Sequence, residues 1–176
     1  AIDLLGIHLR EKPIRTPADI VGQRIRFGSA PAKDLLATYG AIPVGVAAPQ
    51  LYENLEKGVI DGMTAGWDSL VSLRLAEVSK SHLDMSVFTM VFGVVMSKDT
   101  LGRLPPDLQK IVMDNVGIAE AERLGRELDK VSASGRQYVI DQGHTVPKLT
   151  AEEAKSWRDG AAPMIETYLQ ALEGKG

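Results

Sequence analysis

Apolar positions change their spacing several times along the chain, and each change marks an element. Thr16-Pro17-Ala18-Asp19 reads as a helix start, with Thr as N-cap, Pro in the first turn and Asp at N3; Gly22 ends it quickly. Arg24-Ile25-Arg26-Phe27 alternates polar and apolar residues, as a strand with two unlike faces does. Ser29-Ala30-Pro31 restarts a helix that runs to about Tyr39, with Gly40 at the C′ position. Ile42-Pro43-Val44 is a second short strand. Ala48-Pro49 opens a helix that places Leu51, Tyr52 and Leu55 on one face and stops at Gly58. Val59 to Ala65 is a third strand, although Asp61-Gly62 can also be read as a hairpin turn. Strand, helix, strand, helix, strand is the order of an α/β layer with parallel pairing.

Beyond Trp67 the pattern predicts short helical pieces to Glu77, then an apolar, β-branched and aromatic central strand over Ser86–Met96. Leu104-Pro105-Pro106-Asp107 caps a long helical region, with Leu108, Ile111, Val112, Ala119, Leu124, Leu128 and Val131 near the 3.6 period. Gly117, Gly125 and Gly135 interrupt it, so it is expected to bend or break. His144–Leu149 can form a strand. Thr150-Ala151-Glu152-Glu153 is a capping box, and the helix it opens aligns Trp157, Ala161, Met164, Ile165, Tyr168, Leu169 and Leu172 as a core-facing stripe.

Composition narrows the function classes. In 176 residues, 44% hydrophobic and 24% charged, there is material for a real core. A net charge of −3 with no basic run argues against a nucleic-acid partner. The absence of cysteine excludes disulfides, thiolate metal sites and cysteine nucleophiles. The longest apolar run, Val87–Met96, is too short for a membrane span. Ala1-Ile2-Asp3-Leu4-Leu5 carries no signal peptide and resembles the middle of a chain, so processing or truncation is expected.

Catalytic motifs are missing. His8, His82 and His144 are scattered, with none at metal-ligand spacing, and no GxSxG, Walker A or GxGxxG sequence occurs. Glu152 and Glu153 belong to a cap, and Glu120 and Glu122 to a solvated helix face, so no carboxylate pair suggests acid–base work.

One ordered set of motifs remains. Lys12-Pro13-Ile14, Thr16-Pro17, Asp19-Ile20, Gly22 and Ile25-Arg26 are followed by Gly40-Ala41, Pro43-Val44 and Leu51-Tyr52. Leu55, Gly58-Val59-Ile60-Asp61-Gly62 and Leu104-Pro105-Pro106-Asp107-Leu108-Gln109-Lys110 complete it. In this order and spacing the chain resembles the C-terminal portion of the TRAP-type (DctP-like) periplasmic solute-binding proteins. The resemblance implies no enzyme but a periplasmic-binding-protein-like α/β lobe with a parallel or mixed sheet, a long helix and C-terminal helices. It implies residues 1–80 as second lobe, 81–115 as a strand and helix that normally join the first lobe, and 116–176 as helices packed on the second. It also implies a small organic acid as ligand and the membrane permease subunits of a TRAP system as partners.

In that family the Arg of the Ile-Arg pair grips the ligand carboxylate, which here is Arg26. A guanidinium fork pairs bidentately with a carboxylate; the alternative role is a salt bridge. Ser29 either donates to the ligand or caps its helix. Met63, Ala65 and Trp67 complete the implied ligand-binding set. Many members carry Glu-Asn-Pro after the Asp-Gly pair, where Thr64-Ala65-Gly66 stand here, so the Asn contact is missing. Trp67-Asp68 resembles a subgroup in which the Trp shapes the pocket and the acidic residue helps hold a metal bridging the ligand. Core packing for Trp67 and N-capping for Asp68 are the alternatives. Apart from that metal no cofactor is implied. A second Arg of some members falls near Gly6, with only His8 and Arg10 close by. Both departures favour a monocarboxylate, hydrophobic or aromatic, over a C4-dicarboxylate. The exposed apolar strand expected over Ser86–Met96 points to a domain-swapped homodimer or a partner segment. The rival readings are a cytoplasmic ligand-sensing module and a small-acid enzyme.

Overall fold

The computed structural model describes residues 2–173. Six strands, β1 (Ile2–Leu9), β2 (Arg24–Phe27), β3 (Ile42–Gly45), β4 (Gly62–Ala65), β5 (Ser81–His82) and β6 (Phe88–Val91), form the sheet. The helices are α1 (Ala30–Thr38), α2 (Leu51–Glu56), α3 (Trp67–Ser72), α4 (Lys98–Gly102), α5 (Pro106–Asp114), α6 (Ile118–Asp141) and α7 (Ala151–Glu173).

The strand order is β3-β2-β4-β1-β5, with β6 paired to β1 outside that path. β2 runs parallel to β3 and β4, the expected outcome of two short βαβ units. β1 is antiparallel to all its partners. Its second half pairs with β4 (Gly6↔Ala65 to Leu9↔Gly62) and β5, and its first half with β6 (Ile2↔Val91 to Leu5↔Phe88). The sheet is therefore mixed, as expected for this α/β class.

Alternation along the strands sends side chains to two cores. Ile7, Leu9 and Ile25 join Leu35, Leu36 and Trp157 under α1 and α7. Met63 joins Leu51, Leu55, Ile60, Leu70 and Val139 under α2, α3 and α6. Trp157 is fully buried; its indole N–H donates to the Arg15 carbonyl (2.9 Å), and the Tyr39 hydroxyl donates to the Trp157 carbonyl (2.6 Å).

Several expectations need correction. The third strand starts at Gly62 rather than Val59, because the Asn54 carbonyl accepts from the N–H groups of Val59 (2.9 Å) and Ile60 (3.3 Å) to close α2. The hairpin reading of Asp61-Gly62 fails, since the chain passes directly into β4 alongside β2. The Ser86–Met96 strand shrinks to Phe88–Val91 and pairs with β1 alone. Val91, Val94 and Val95 are 75%, 97% and 92% exposed, so its apolar residues are uncovered rather than central. The long helical region breaks between Asp114 and Ile118, where the Asn115 side chain donates to the Ile111 carbonyl. His144–Leu149 forms no strand, only a bridge between Thr145 and Ser81. The α7 stripe is core only in its first half: Ile165, Leu169 and Leu172 are exposed.

Gly135 tightens the second core. A Cβ there would lie 2.2 Å from the Trp67 carbonyl oxygen, so only glycine lets α6 press onto the start of α3.

Candidate functional site

The Arg24–Phe27 strand turns Ile25 and Phe27 to one core and both arginines to the other face. The two arginines then differ in partnership. Arg24 is held by Asp61, whose carboxylate accepts from its Nη2 (2.7 Å), Nε (2.9 Å) and backbone N–H (2.8 Å). Hydrogen bonding to Arg24 accordingly holds the Asp61 carboxyl below the usual carboxylate range. The Asp-Gly pair of the motif thus has a structural role: Asp61 ties the edge of β4 to β2. A Cβ at Gly62 would lie 2.6 Å from the His8 carbonyl oxygen, so glycine allows β1 to approach.

Arg26 is half-buried and its Nε donates to the Val46 carbonyl (3.0 Å). Among the described residues no carboxylate pairs with it. Burial pushes its guanidinium below its ordinary value. The salt-bridge reading of Arg26 is therefore not met within the described chain.

Arg26 opens onto a cavity of about 160 Å³ lined by Leu5, Gly28, Ala48, Leu51, Thr64, Ala65, Gly66, Ser69, Leu73, Leu75 and Phe92. Among the described residues it is the one ionisable group in that lining. A single fixed cation in apolar walls is a site for one anionic group carried on an apolar body. Thr64 steadies the strand end from below, its hydroxyl donating to the Arg26 carbonyl (3.3 Å).

The other sequence-derived residues divide. Ala65 lines the Arg26 cavity. Ser29 caps α1, its Oγ accepting from the Ala32 N–H (3.4 Å), and does not line the cavity. Met63 is fully buried in the second core and does not reach it either, because its neighbours in the strand, not its own side chain, face the opening. Trp67 is half-buried: it packs on the second core and also lines a separate cavity of about 320 Å³ with Gly6, Met85 and the bidentate Asp84–Arg136 pair (2.8 and 2.5 Å).

Asp68 sits in the first turn of α3, after the N-cap Gly66, and its carboxylate accepts from Ser69 Oγ (3.4 Å). The N-cap reading of Asp68 is thus off by two residues. No group of three His, Cys, Asp or Glu among the described residues is placed to hold a metal.

The three histidines, far apart in sequence, lie side by side. His8 and His82 are buried without exposure, and both ring planes approach Trp67, at 5.1 and 5.7 Å between centroids. Separations of 74 and 62 residues leave no local pattern by which the sequence could have shown this.

Comparison with known proteins gives one result. The family model of the bacterial extracellular solute-binding proteins, family 7 (DctP), matches residues 6–171. A C4-dicarboxylate-binding periplasmic protein DctP of Vibrio cholerae is 28% identical over 161 residues, covering 89% of this chain and 47% of its own. A TRAP solute-binding protein from Rhodoferax ferrireducens, solved with copurified benzoate, superposes with a TM-score of 0.91 at 29% identity. That match covers 99% of this chain and 56% of that one. A marine-metagenome TRAP solute-binding protein described as specific for aromatic acids, solved with 3-hydroxybenzoate, superposes at 0.90 with 27% identity. It covers 100% of this chain and 57% of that one. The chain spans about half the length of the curated relatives it matches. No helix among the described residues is long and apolar enough to cross a membrane. With two βαβ units, the Ile-Arg and Asp-Gly motifs in place and a family match over nearly its whole length, this chain belongs to the DctP family of bacterial extracellular solute-binding proteins.

Proposed function

We propose that this chain is the acid-gripping portion of a periplasmic TRAP solute receptor whose ligand is an aromatic or otherwise apolar monocarboxylate. The carrying observation is Arg26: a half-buried cation that, among the described residues, has no carboxylate partner and lines a cavity whose other groups are uncharged. An unpaired charge out of water is costly, and an incoming carboxylate relieves that cost while gaining charge-assisted hydrogen bonds.

A second carboxylate has no evident partner here. Gly6 carries no side chain, His8 is committed to hydrogen bonds inside the protein, and Arg10 lines other cavities, with Glu11 beside it. The likeness to the benzoate and 3-hydroxybenzoate receptors supports the same choice, against the dicarboxylate named for the Vibrio relative. Receptors of this family bind and deliver rather than transform, so the ligand passes to a membrane permease. The exposed apolar residues between Val91 and Ile118 support contact with a further segment or a second copy of the chain.

Titration with benzoate, followed by amide resonances, tests the reading. Gly28, Thr64 and Ala65 should shift at millimolar benzoate, and Arg26→Met should weaken the effect about ten- to a hundredfold by removing charged hydrogen bonds. Equal shifts in wild type and Arg26→Met would refute the grip. Succinate binding tighter than benzoate would refute the monocarboxylate preference.

A further inference from the structure

His8, His82, His144 and Lys80 form an unbroken hydrogen-bonded chain that ends on the turn lining the Arg26 cavity. His8 Nε2 lies 3.1 Å from the Ala65 carbonyl oxygen. His8 Nδ1 lies 3.0 Å from His82 Nδ1. His82 Nε2 lies 2.9 Å from His144 Nδ1, and His144 Nε2 lies 3.1 Å from Lys80 Nζ. Lys80 Nζ also donates to the Ala76 carbonyl (3.0 Å).

The two ends fix where every proton sits. A carbonyl only accepts, so His8 carries its hydrogen on Nε2 and offers a lone pair at Nδ1. His82 must then donate from Nδ1 and accept at Nε2, and His144 must donate from Nδ1 and accept at Nε2. The ammonium of Lys80 only donates, which agrees with that last lone pair. Reversing the chain would set a lone pair against the Ala65 carbonyl and an N–H against an ammonium. All three rings are thus neutral and each has one tautomer. Any added proton leaves two N–H groups facing one another at some junction, unless a side chain swings away.

A metal site does not explain the cluster. His82 uses opposite edges of its ring for its two neighbours, so no point lies near nitrogens of all three. The planes of His82 and His144 differ by 19°, as suits an in-plane hydrogen bond.

The far end matters because of where Ala65 lies. It closes β4, and Gly66-Trp67 turn the backbone into α3 immediately after it. Ala65 and Gly66 line the Arg26 cavity, and the Trp67 ring rests edge-on against His8, with 70° between planes. Among the described residues the one charged group touching the chain is Lys80; across Trp67 lie the Asp84–Arg136 pair and Asp129.

We propose that this imidazole chain is a positioning device for the ligand-facing turn Ala65-Gly66-Trp67, holding it in the acid-binding shape while the three rings are neutral. His8, His82 and His144 are positioning residues that act through Ala65 and Trp67. The assignment rests on the Arg26 cavity being the acid site. Burial, which lowers the proton affinity of all three rings, keeps the chain neutral near pH 7 and below.

The test has two arms, both on the full chain. Long-range imidazole ¹⁵N correlations at pH 7.5 should give the Nε2–H tautomer for His8 and the Nδ1–H tautomer for His82 and His144. A charged ring, or His8 protonated on Nδ1, overturns the proposal without any variant having to fold. In the second arm, His8→Leu and His82→Leu should move the Trp67 indole N–H resonance and weaken benzoate binding at least fivefold. His8→Gln, which keeps a donor for the Ala65 carbonyl, should restore most of both. An unmoved Trp67 resonance, or a His8→Gln variant no better than His8→Leu, overturns the positioning role. If Trp67 moves as expected but neither wild type nor variant binds benzoate, the acid-site reading fails and the link to ligand binding falls with it.

Discussion

The contact between Gly135 and the start of α3 allows a sharp test of the packing. In Gly135→Ala the new methyl would sit 2.2 Å from the Trp67 carbonyl oxygen, 2.7 Å from its carbon and 3.2 Å from the Asp68 nitrogen. Ordinary non-bonded contact begins at about 3.5 Å, so α6 and α3 must separate by roughly 1 Å. Neither partner is a flexible side-chain tip; both are backbone. Overpacking of this kind costs about 1–3 kcal/mol and more where backbone must move, which puts this site at or above the upper end. Helix propensity works the other way, favouring Ala over Gly by about 1 kcal/mol. The net expectation is a loss of about 2 kcal/mol or more. Gly125→Ala is the internal control: the same exchange in the same helix, with nothing within 4 Å of the added carbon. It should gain up to about 1 kcal/mol. Urea unfolding followed by far-UV circular dichroism should lower the Gly135→Ala midpoint by about 1 M and raise that of Gly125→Ala, using a slope of about 2 kcal/mol/M. A Gly135→Ala protein as stable as wild type would refute the argument that a small residue is required there.

Stability should also fall on mild acidification. Burial lowers the His8 pKa from 6.5 to about 4, so below pH 6.5 the unfolded chain takes up a proton that the folded chain refuses. The stability is fully present above pH 6.5, declines between there and pH 4 by about 3 kcal/mol from His8 alone, and then levels for that group. A urea midpoint unchanged between pH 7 and pH 5 would contradict this. Asp61, held low by Arg24, adds its loss only at still lower pH, as the pH falls from the ordinary carboxylate value to below it. Tyr39→Phe removes the hydroxyl bond to the Trp157 carbonyl and should cost about 1–3 kcal/mol in the same unfolding assay, since the acceptor stays buried. Sedimentation of the chain at rising concentration should reveal self-association through the exposed apolar residues between Val91 and Ile118; a monomer throughout would leave a separate covering segment as the explanation.

The sequence was most legible where structure is local. Three strands and two helices between Arg24 and Ala65 follow from alternation, caps and glycines, because each βαβ step is complete within about 20 residues. The position of Arg26 near a strand end was legible too, from the alternation over Arg24–Phe27. Legibility failed where the outcome depends on what covers a surface. Ser86–Met96 and the outer half of α7 are apolar, and periodicity cannot tell a residue that is covered from one that is not. Met63 shows a related failure: a residue can belong to a strand that borders the Arg26 cavity and still point into the core. The histidine chain is the extreme case, assembled from β1, β5 and the loop after α6, with each residue unremarked in its own surroundings.

The division of β1 has a mechanical consequence. Its residues up to Leu5 hold β6, and those from Gly6 onward hold β4 and β5. The strand is therefore a single beam gripped at both ends by different bodies. Any change of angle between β6 and the Arg26 strand cluster must be absorbed as torsion near the Leu5–Gly6 peptide. Leu5 is also part of the Arg26 cavity wall, and His8 lies two residues beyond Gly6. Flexing at that peptide would thus alter the aperture over the guanidinium and load the imidazole chain in the same stroke.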